Sequence, residues 1–597
     1  MTTRRKRHLA AAILVSGALT MTAACSSGHT NSDGSKPSAG GSSSASASAP
    51  AAPVATSISV GTADDSNGPA LAPEGSKAGG TVTMIDRDDF SHLDPGRIYM
   101  NYNSTVSLLF TRQLTGYKKT PDGTKLVGDL ATDTGTTSDG GKTWTFTLKD
   151  GLKWEDGSAI TSDDIKYSIE RLYAPFIQEG PKYIQQWLSG NEYQKVYEGP
   201  YKGKSLGAVE TPDKKTVVFK FKEAHPDANF TLAMTGYGVV PKAHDTKEAY
   251  DKKPFSSGPY KISSHITDKS LDLERNPNWD PKTDPIRNAF PDKWHMQFGV
   301  QAEESTNRFI ADNGTDKTTM TFHNGVEPTK ITEVLGNASL KPRLLQGLTP
   351  YVDYYYINNT RISDVNVRKA LITAFPLQQI RLAEGGPTAG DFATTMMSPT
   401  VLGYEQFDVY GKLQKPEGDP EAAKKLLEQA GKTGQTIVYA YNNTPTQQKV
   451  TEVIRQALEK AGFKFVSKPL DPKNYYDQTG KLNNSYDVYW GGWGADWPTG
   501  QTALQPVWDG RQIGDLASNY AHFADKAIDK AMDDAAKIAD AAEQGKAWAA
   551  IDKQINEQAA SIPYIYDKYL GLYGSGLGGV EFDPLSGEQS PLNVFIK

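Results

Sequence analysis

The chain has 597 residues, too many for one simple core, so two or three globular units are expected. Charged residues make up 22% and aromatics 10%, ordinary values for a globular protein. The net charge is −6, with no basic stripe for a phosphate backbone to follow, which argues against nucleic acid as a partner.

The N-terminus reads MTTRRKRHLAAAILVSGALTMTAAC. A basic patch, Arg4 to Arg7, precedes an apolar run of about a dozen residues and then small residues, the layout of an export signal. The run is too short for a permanent bilayer anchor. Removal of residues 1–24 takes Arg4, Arg5, Lys6 and Arg7 and no acid, so the net charge falls from −6 to −10. Cys25 is the only cysteine, which leaves no internal disulfide. TAAC resembles a bacterial lipobox, whose cysteine is diacylated and becomes the new N-terminus; Thr22 departs from the leucine common there. The alternative is an ordinary signal peptide with a chance cysteine. The lipobox reading places the protein outside the cell, lipid-anchored to the outer face of the bacterial membrane, or in the periplasmic space if there are two membranes.

From residue 25 to residue 79, serine, alanine, glycine and proline dominate without apolar periodicity, and a disordered tether is expected. Roughly fifty flexible residues span about 40 Å. Thr81–Ile85 then reads as a strand, and Thr143–Leu148 alternates like another. Thr161 with Asp164 three residues later predicts a capped helix carrying Ile165, Ile169 and Leu172 on one face. DPEAAKKLLEQAG and TQQKVTEVIRQALEKAGFKF read as amphipathic helices, the second with Val450, Val453, Ile454, Ala457, Leu458 and Ala461 on one face. TIVYAY before it and FKFV after it give a strand–helix–strand alternation, the mark of an α/β layer with a parallel sheet. Tyr486 to Trp490 alternates as a buried strand, and Lys546–Gln558 places Trp548, Ile551 and Ile555 on one helical face.

Catalytic signatures are absent from the sequence. The nine histidines are scattered and form no HExxH or Cys/His cluster. There is no phosphate-binding glycine loop and no G-x-S-x-G elbow. Asp163-Asp164 is better read as first-turn helix acids than as a glycosidase pair. No cofactor and no metal are expected.

Eight stretches, taken in order, resemble the family 5 solute-binding proteins of ABC importers. They are GGTVTMID…HLDP (Gly79–Pro95), GDLATD (Gly128–Asp133), WTFTLKDGLKWEDGSAITSDDIKYSIERL (Trp144–Leu172), SGPYKI (Ser257–Ile262), ERNPNWD (Glu274–Asp280), YYYINNTRISDVNVRKAL (Tyr354–Leu371), DPEAAKKLLEQAG (Asp419–Gly431) and YDVYWGGWGADWP (Tyr486–Pro498). The resemblance implies an α/β, two-lobed periplasmic-binding-protein-like fold with a two-strand hinge and an extra α+β subdomain on the N-terminal lobe. Lobe I is expected at 80–108, 253–325 and 560–597, the subdomain at 109–252 and lobe II at 326–559. A non-enzymatic, monomeric receptor is implied, which captures an oligopeptide and delivers it to ABC permease subunits with cytoplasmic ATPases.

In peptide-binding members, the acid of GW-x-A-D pairs with the peptide's α-ammonium; the matching residue is Asp496, with Trp493 three residues earlier. Gly491, Gly492 and Gly494 would permit close approach of an extended ligand. Trp490 and Trp497 are further candidate contacts, as are Tyr99, Met100 and Asn101 after HLDP, and Arg368 is expected to orient a helix. Two alternatives stand beside this one. Asp496 could be a turn acid paired inside the chain, with Trp490, Trp493 and Trp497 stacking on an oligosaccharide. Or the fold could serve an exported hydrolase or sensor.

Overall fold

The computed structural model describes residues 58–597; the expected signal segment, Cys25 and the beginning of the tether lie outside the described residues. Among those described, no helix is long and apolar enough to cross a membrane.

The first lobe is built on a five-stranded sheet in the order 319–320, 81–85, 293–297, 270–275, 260–266. Thr81–Ile85 has the predicted ends, and its alternation puts Val82 and Met84 in the core. Tyr573, Leu577, Val580 and Val594 join that core, so the C-terminal stretch returns to this lobe. The second lobe holds a six-stranded sheet in the order 390–392, 561–572, 344–357, 488–494, 436–442, 464–470. Thr436–Asn442 and Lys464–Leu470 pair in parallel across helix Pro445–Lys460, as the alternation requires. Val450, Ile454, Leu458 and Ala461 are fully buried against it. Helix Ala541–Glu557 likewise buries Trp548, Ile551 and Ile555. Arg368 donates to the carbonyls of Ile362, Ser363, Gln558 and Ala559, fixing helix Val365–Ala374 against the end of the preceding one.

Two long antiparallel strands, Leu344–Ile357 and Ser561–Leu572, join the lobes. Leu570 and Leu572 pack with Ile85, Val300 and Phe309 of the first lobe, while Tyr355 and Ile562 belong to the core of the second. Their register shifts between Leu348/Val352 and Asp353/Tyr354. Bulges interrupt a ladder and let it bend, so this is where a hinge is cheapest.

An inserted unit holds a three-stranded sheet (143–147, 216–220, 209–210) under helix Ser162–Arg171. The capping box forms: the Thr161 backbone N–H donates to Asp164 Oδ2 at 2.8 Å. At the helix's last turn Arg171 donates to both oxygens of Asp94, at 2.8 and 2.6 Å, a buried two-pronged contact joining the HLDP and IERL motifs. Nearby, buried Arg112 and Arg287 share Asp129 and Asp284 at 2.8, 3.6, 2.9 and 3.3 Å. Burial would raise the Asp284 carboxyl, but the two guanidinium groups bring it down to about 2.

The tether expected to run to Gly79 ends earlier. Ile58–Val60 form a strand that pairs in parallel with Gly123–Gly128 of a hairpin. Asp65 bonds Lys125 at 2.9 Å, and the Gly128 N–H donates to Ser66 Oγ at 2.9 Å. The composition of this segment is that of a linker, but its hydrogen bonds come from a partner distant in the sequence.

Candidate functional site

Strand Val488–Gly494 carries the glycine–tryptophan run to the lobe boundary, and the loop after it delivers Asp496 into the space between the lobes. Tyr99, which precedes helix Asn101–Ser107 of the first lobe, donates its hydroxyl to both carboxylate oxygens at 3.0 and 2.9 Å. Tyr183, the first residue of helix Tyr183–Ser189 in the inserted unit, donates to Oδ2. No lysine, arginine or histidine forms an ion pair with Asp496 among the described residues. Burial raises its carboxyl above the ordinary range, and the hydroxyls of Tyr183 and Tyr99 offset part of that shift.

A second carboxylate crosses the same boundary. Asp227 of the inserted unit is 2% exposed. It accepts the Trp497 indole N–H at 2.7 Å and the Thr499 hydroxyl at 3.2 Å. The Gln501 amide, with its nitrogen turned inward, adds contacts at 2.9 and 3.0 Å. Burial pushes Asp227 up to about 6 despite the Trp497 and Thr499 donors. The Tyr183 ring meets Trp497 edge-on, with centroids 4.7 Å apart. The loop bearing Asp496 is thereby clamped by three donors on one acid and by aromatic packing.

Between the lobes lies a cavity of about 330 Å³. Tyr99, Met100, Asn101, Gly492, Trp493, Asp496 and Trp497 all line it. Asn101 donates to Tyr351 Oη at 3.1 Å, a contact from the first lobe to the hinge strand, and to the Ser586 carbonyl at 2.7 Å within the first lobe. The Trp493 indole N–H is held by the Thr502 carbonyl at 2.8 Å, which fixes the ring as a wall. Trp490 does not line the cavity; it packs between the two cores of the second lobe, and its carbonyl accepts from Tyr475 at 2.8 Å.

The glycines also serve their own sheet, and Gly492 and Gly494 do so while lining the cavity. A Cβ at Gly491 would lie 2.5 Å from the Tyr356 ring, at Gly492 2.7 Å from Asp353 Oδ1, and at Gly494 2.9 Å from the Tyr351 ring. Their missing side chains make room for the neighbouring strand of their own sheet. Tyr183, Asp227 and Tyr351 carried no sequence signal. They reach the site only because the inserted unit and the hinge strand fold against the loop.

A sequence model described as "Bacterial extracellular solute-binding proteins, family 5 Middle" matches residues 125–515, well over half of the chain. The chain belongs to family 5 of the bacterial extracellular solute-binding proteins. Proteins of this family serve transporters by binding solutes and are not enzymes. This family 5 chain is 26% identical over 478 residues to the periplasmic oligopeptide-binding protein OppA of Salmonella typhimurium, covering 76% of this chain and 81% of OppA. It is 24% identical over 530 residues to the glutathione-binding protein GsiB of Escherichia coli, with 85% and 93% covered. Among solved structures, the clavulanic acid biosynthesis oligopeptide binding protein 2 is 28% identical, with a TM-score of 0.81 over 91% of this chain and 99% of that one. The α/β two-lobed fold with its inserted subdomain is that of the family.

Proposed function

We propose that this protein captures an oligopeptide between its lobes, seats the α-ammonium on Asp496, and delivers the cargo to an ABC permease driven by separate cytoplasmic ATPases. One observation carries the reading: a carboxylate lining the cleft faces hydroxyls and no cation among the described residues. Removing an ion from water costs several kcal/mol. Hydrogen bonds to a charged group return about 1.5–3 kcal/mol each. Two tyrosines therefore hold the acid without neutralising it, and a cationic chain end from outside completes the pairing. The peptide- and glutathione-binding relatives support the same cargo class. A sugar would leave the charge unmatched.

The test is mass spectrometry of the cargo released from natively purified protein. Peptides with free α-amino ends are expected, and oligosaccharides in their place would overturn the reading. Anchoring through a lipidated Cys25 belongs to the same proposal, as does the division into lobe I (80–108, 253–325, 560–597), an insert (109–252) and lobe II (326–559). Cys25→Ala is expected to shift the protein from the membrane fraction to the medium; retention in the membrane would exclude the anchor.

A further inference from the structure

One small apolar cluster draws on four separated parts of the chain: Ile58, Leu126, Phe230 with Ala233, and Trp497. Trp497 is buried and belongs to the loop that carries Asp496. Ile58, also buried, opens a segment whose composition read as tether. The N-terminal strap and the cargo loop of the second lobe thus contribute to the same core.

Hydrogen bonds follow the same course. The Gly61 N–H donates to the Leu126 carbonyl at 2.8 Å, and the Gly128 N–H donates to Ser66 Oγ at 2.9 Å, which fixes the strap along strand Gly123–Gly128. The partner strand of that hairpin, Thr115–Thr120, starts at Thr115, whose hydroxyl donates to the Asn229 carbonyl at 2.7 Å. Asn229 lies in the short helix Ala228–Thr231, and Asp227 stands just before it, its carbonyl accepting from the Phe230 N–H at 3.0 Å. The Asp227 carboxylate then receives the Trp497 indole at 2.7 Å. Strap, hairpin, helix and loop form one unbroken series of contacts. Ile58, Leu126 and Phe230 do not line the cleft.

Resting on the reading that cargo is held between the lobes at Asp496, we propose that the strap, Ile58–Ser66, is a positioning element of that site. By backing Leu126 and Phe230 it holds Asp227 where Trp497 docks on closure. Cargo affinity then depends on a segment that touches no cargo, because any loss of the closed population lowers apparent affinity by the same factor.

Ile58→Asp sets a carboxylate in the cluster, where an unpaired charge is costly, and should release the strap. Calorimetry with hexa-alanine is expected to show binding about tenfold weaker than the wild type, the scale of one lost buried isoleucine. Ile58→Val keeps the apolar contact and should bind like the wild type. In Trp497→Ala the docking partner is gone, so adding Ile58→Asp should weaken binding little further; a strap that only stabilised the fold would leave the two effects independent. If Ile58→Asp does not fold, Ser66→Ala, which removes the acceptor of the Gly128 N–H, takes its place in the same cycle. Unchanged affinity, or two single effects that multiply in the double variant, would overturn the strap's role and leave peptide capture intact. Failure of the wild type to bind hexa-alanine would count against the peptide reading alone. Small-angle scattering of the empty proteins then decides the strap: a more open Ile58→Asp upholds it, and identical profiles overturn it.

Discussion

Asp496→Asn is expected to bind peptides roughly a hundred- to several-thousand-fold more weakly than the wild type, since removing one partner of a buried ion pair costs about 3–5 kcal/mol. The same substitution should not destabilise the empty protein. With no cation of the described residues paired to it, the charge is a cost in the unliganded closed form, since burial raises its carboxyl above the ordinary range. Asparagine keeps an acceptor for the hydroxyls of Tyr99 and Tyr183 and removes that cost. Calorimetry and thermal melting together check the contrast. Unchanged peptide affinity, or a loss of affinity accompanied by a comparable loss of stability, would reject Asp496 as the ammonium receptor.

The second large effect concerns closure and acidity. Burial raises the Asp227 carboxyl to about 6 in the closed form, and water reaching it on opening would return it toward the ordinary 3.8. Between about pH 4 and 6 the closed form therefore binds more protons than the open one. Closure is favoured as pH falls through this window, and that advantage is lost as pH rises through about 6. The gap between 3.8 and about 6 corresponds to roughly a hundredfold change in the ratio of closed to open protein. Asp496, also raised, acts in the same direction in the empty protein. Two residues before Asp227, the His225 ring stacks on Trp187 and is held down at about 4, so it stays neutral through most of the window. Tyr117, whose hydroxyl is raised by burial and then by Asp227, stays protonated throughout. Small-angle scattering of unliganded protein should show compaction on acidification, sharply reduced in Asp227→Asn. An identical profile in the variant would rule out this acid as the proton-linked clasp.

The sequence carried much of this fold because its strongest signals are local. Thr81–Ile85 alternates, Thr161 and Asp164 cap a helix, and Val450, Ile454 and Leu458 recur at helical spacing, so each element announces itself within a few residues. Asp496 was legible through a motif and Trp497 through its neighbourhood. Their partners were not: Tyr183 lies 313 residues from Asp496 and Asp227 lies 270 from Trp497, separations over which periodicity says nothing. The glycine run was only half legible, for a related reason. A glycine in a strand signals close approach, but only the fold reveals that Tyr356, Asp353 and Tyr351 of the adjacent strand do the approaching. Ile58–Val60 was hidden by composition, since its ladder is completed by a hairpin more than sixty residues on.

The two long crossing strands have one more implication. The described chain starts on the hairpin beside the first lobe and finishes in that lobe's core, while the second lobe is carried as an excursion between. A swing of the excursion leaves both extremities where they were. A membrane leash at one end, or a label at Lys597, would ride on the stationary half, and opening and shutting would proceed without tugging on either.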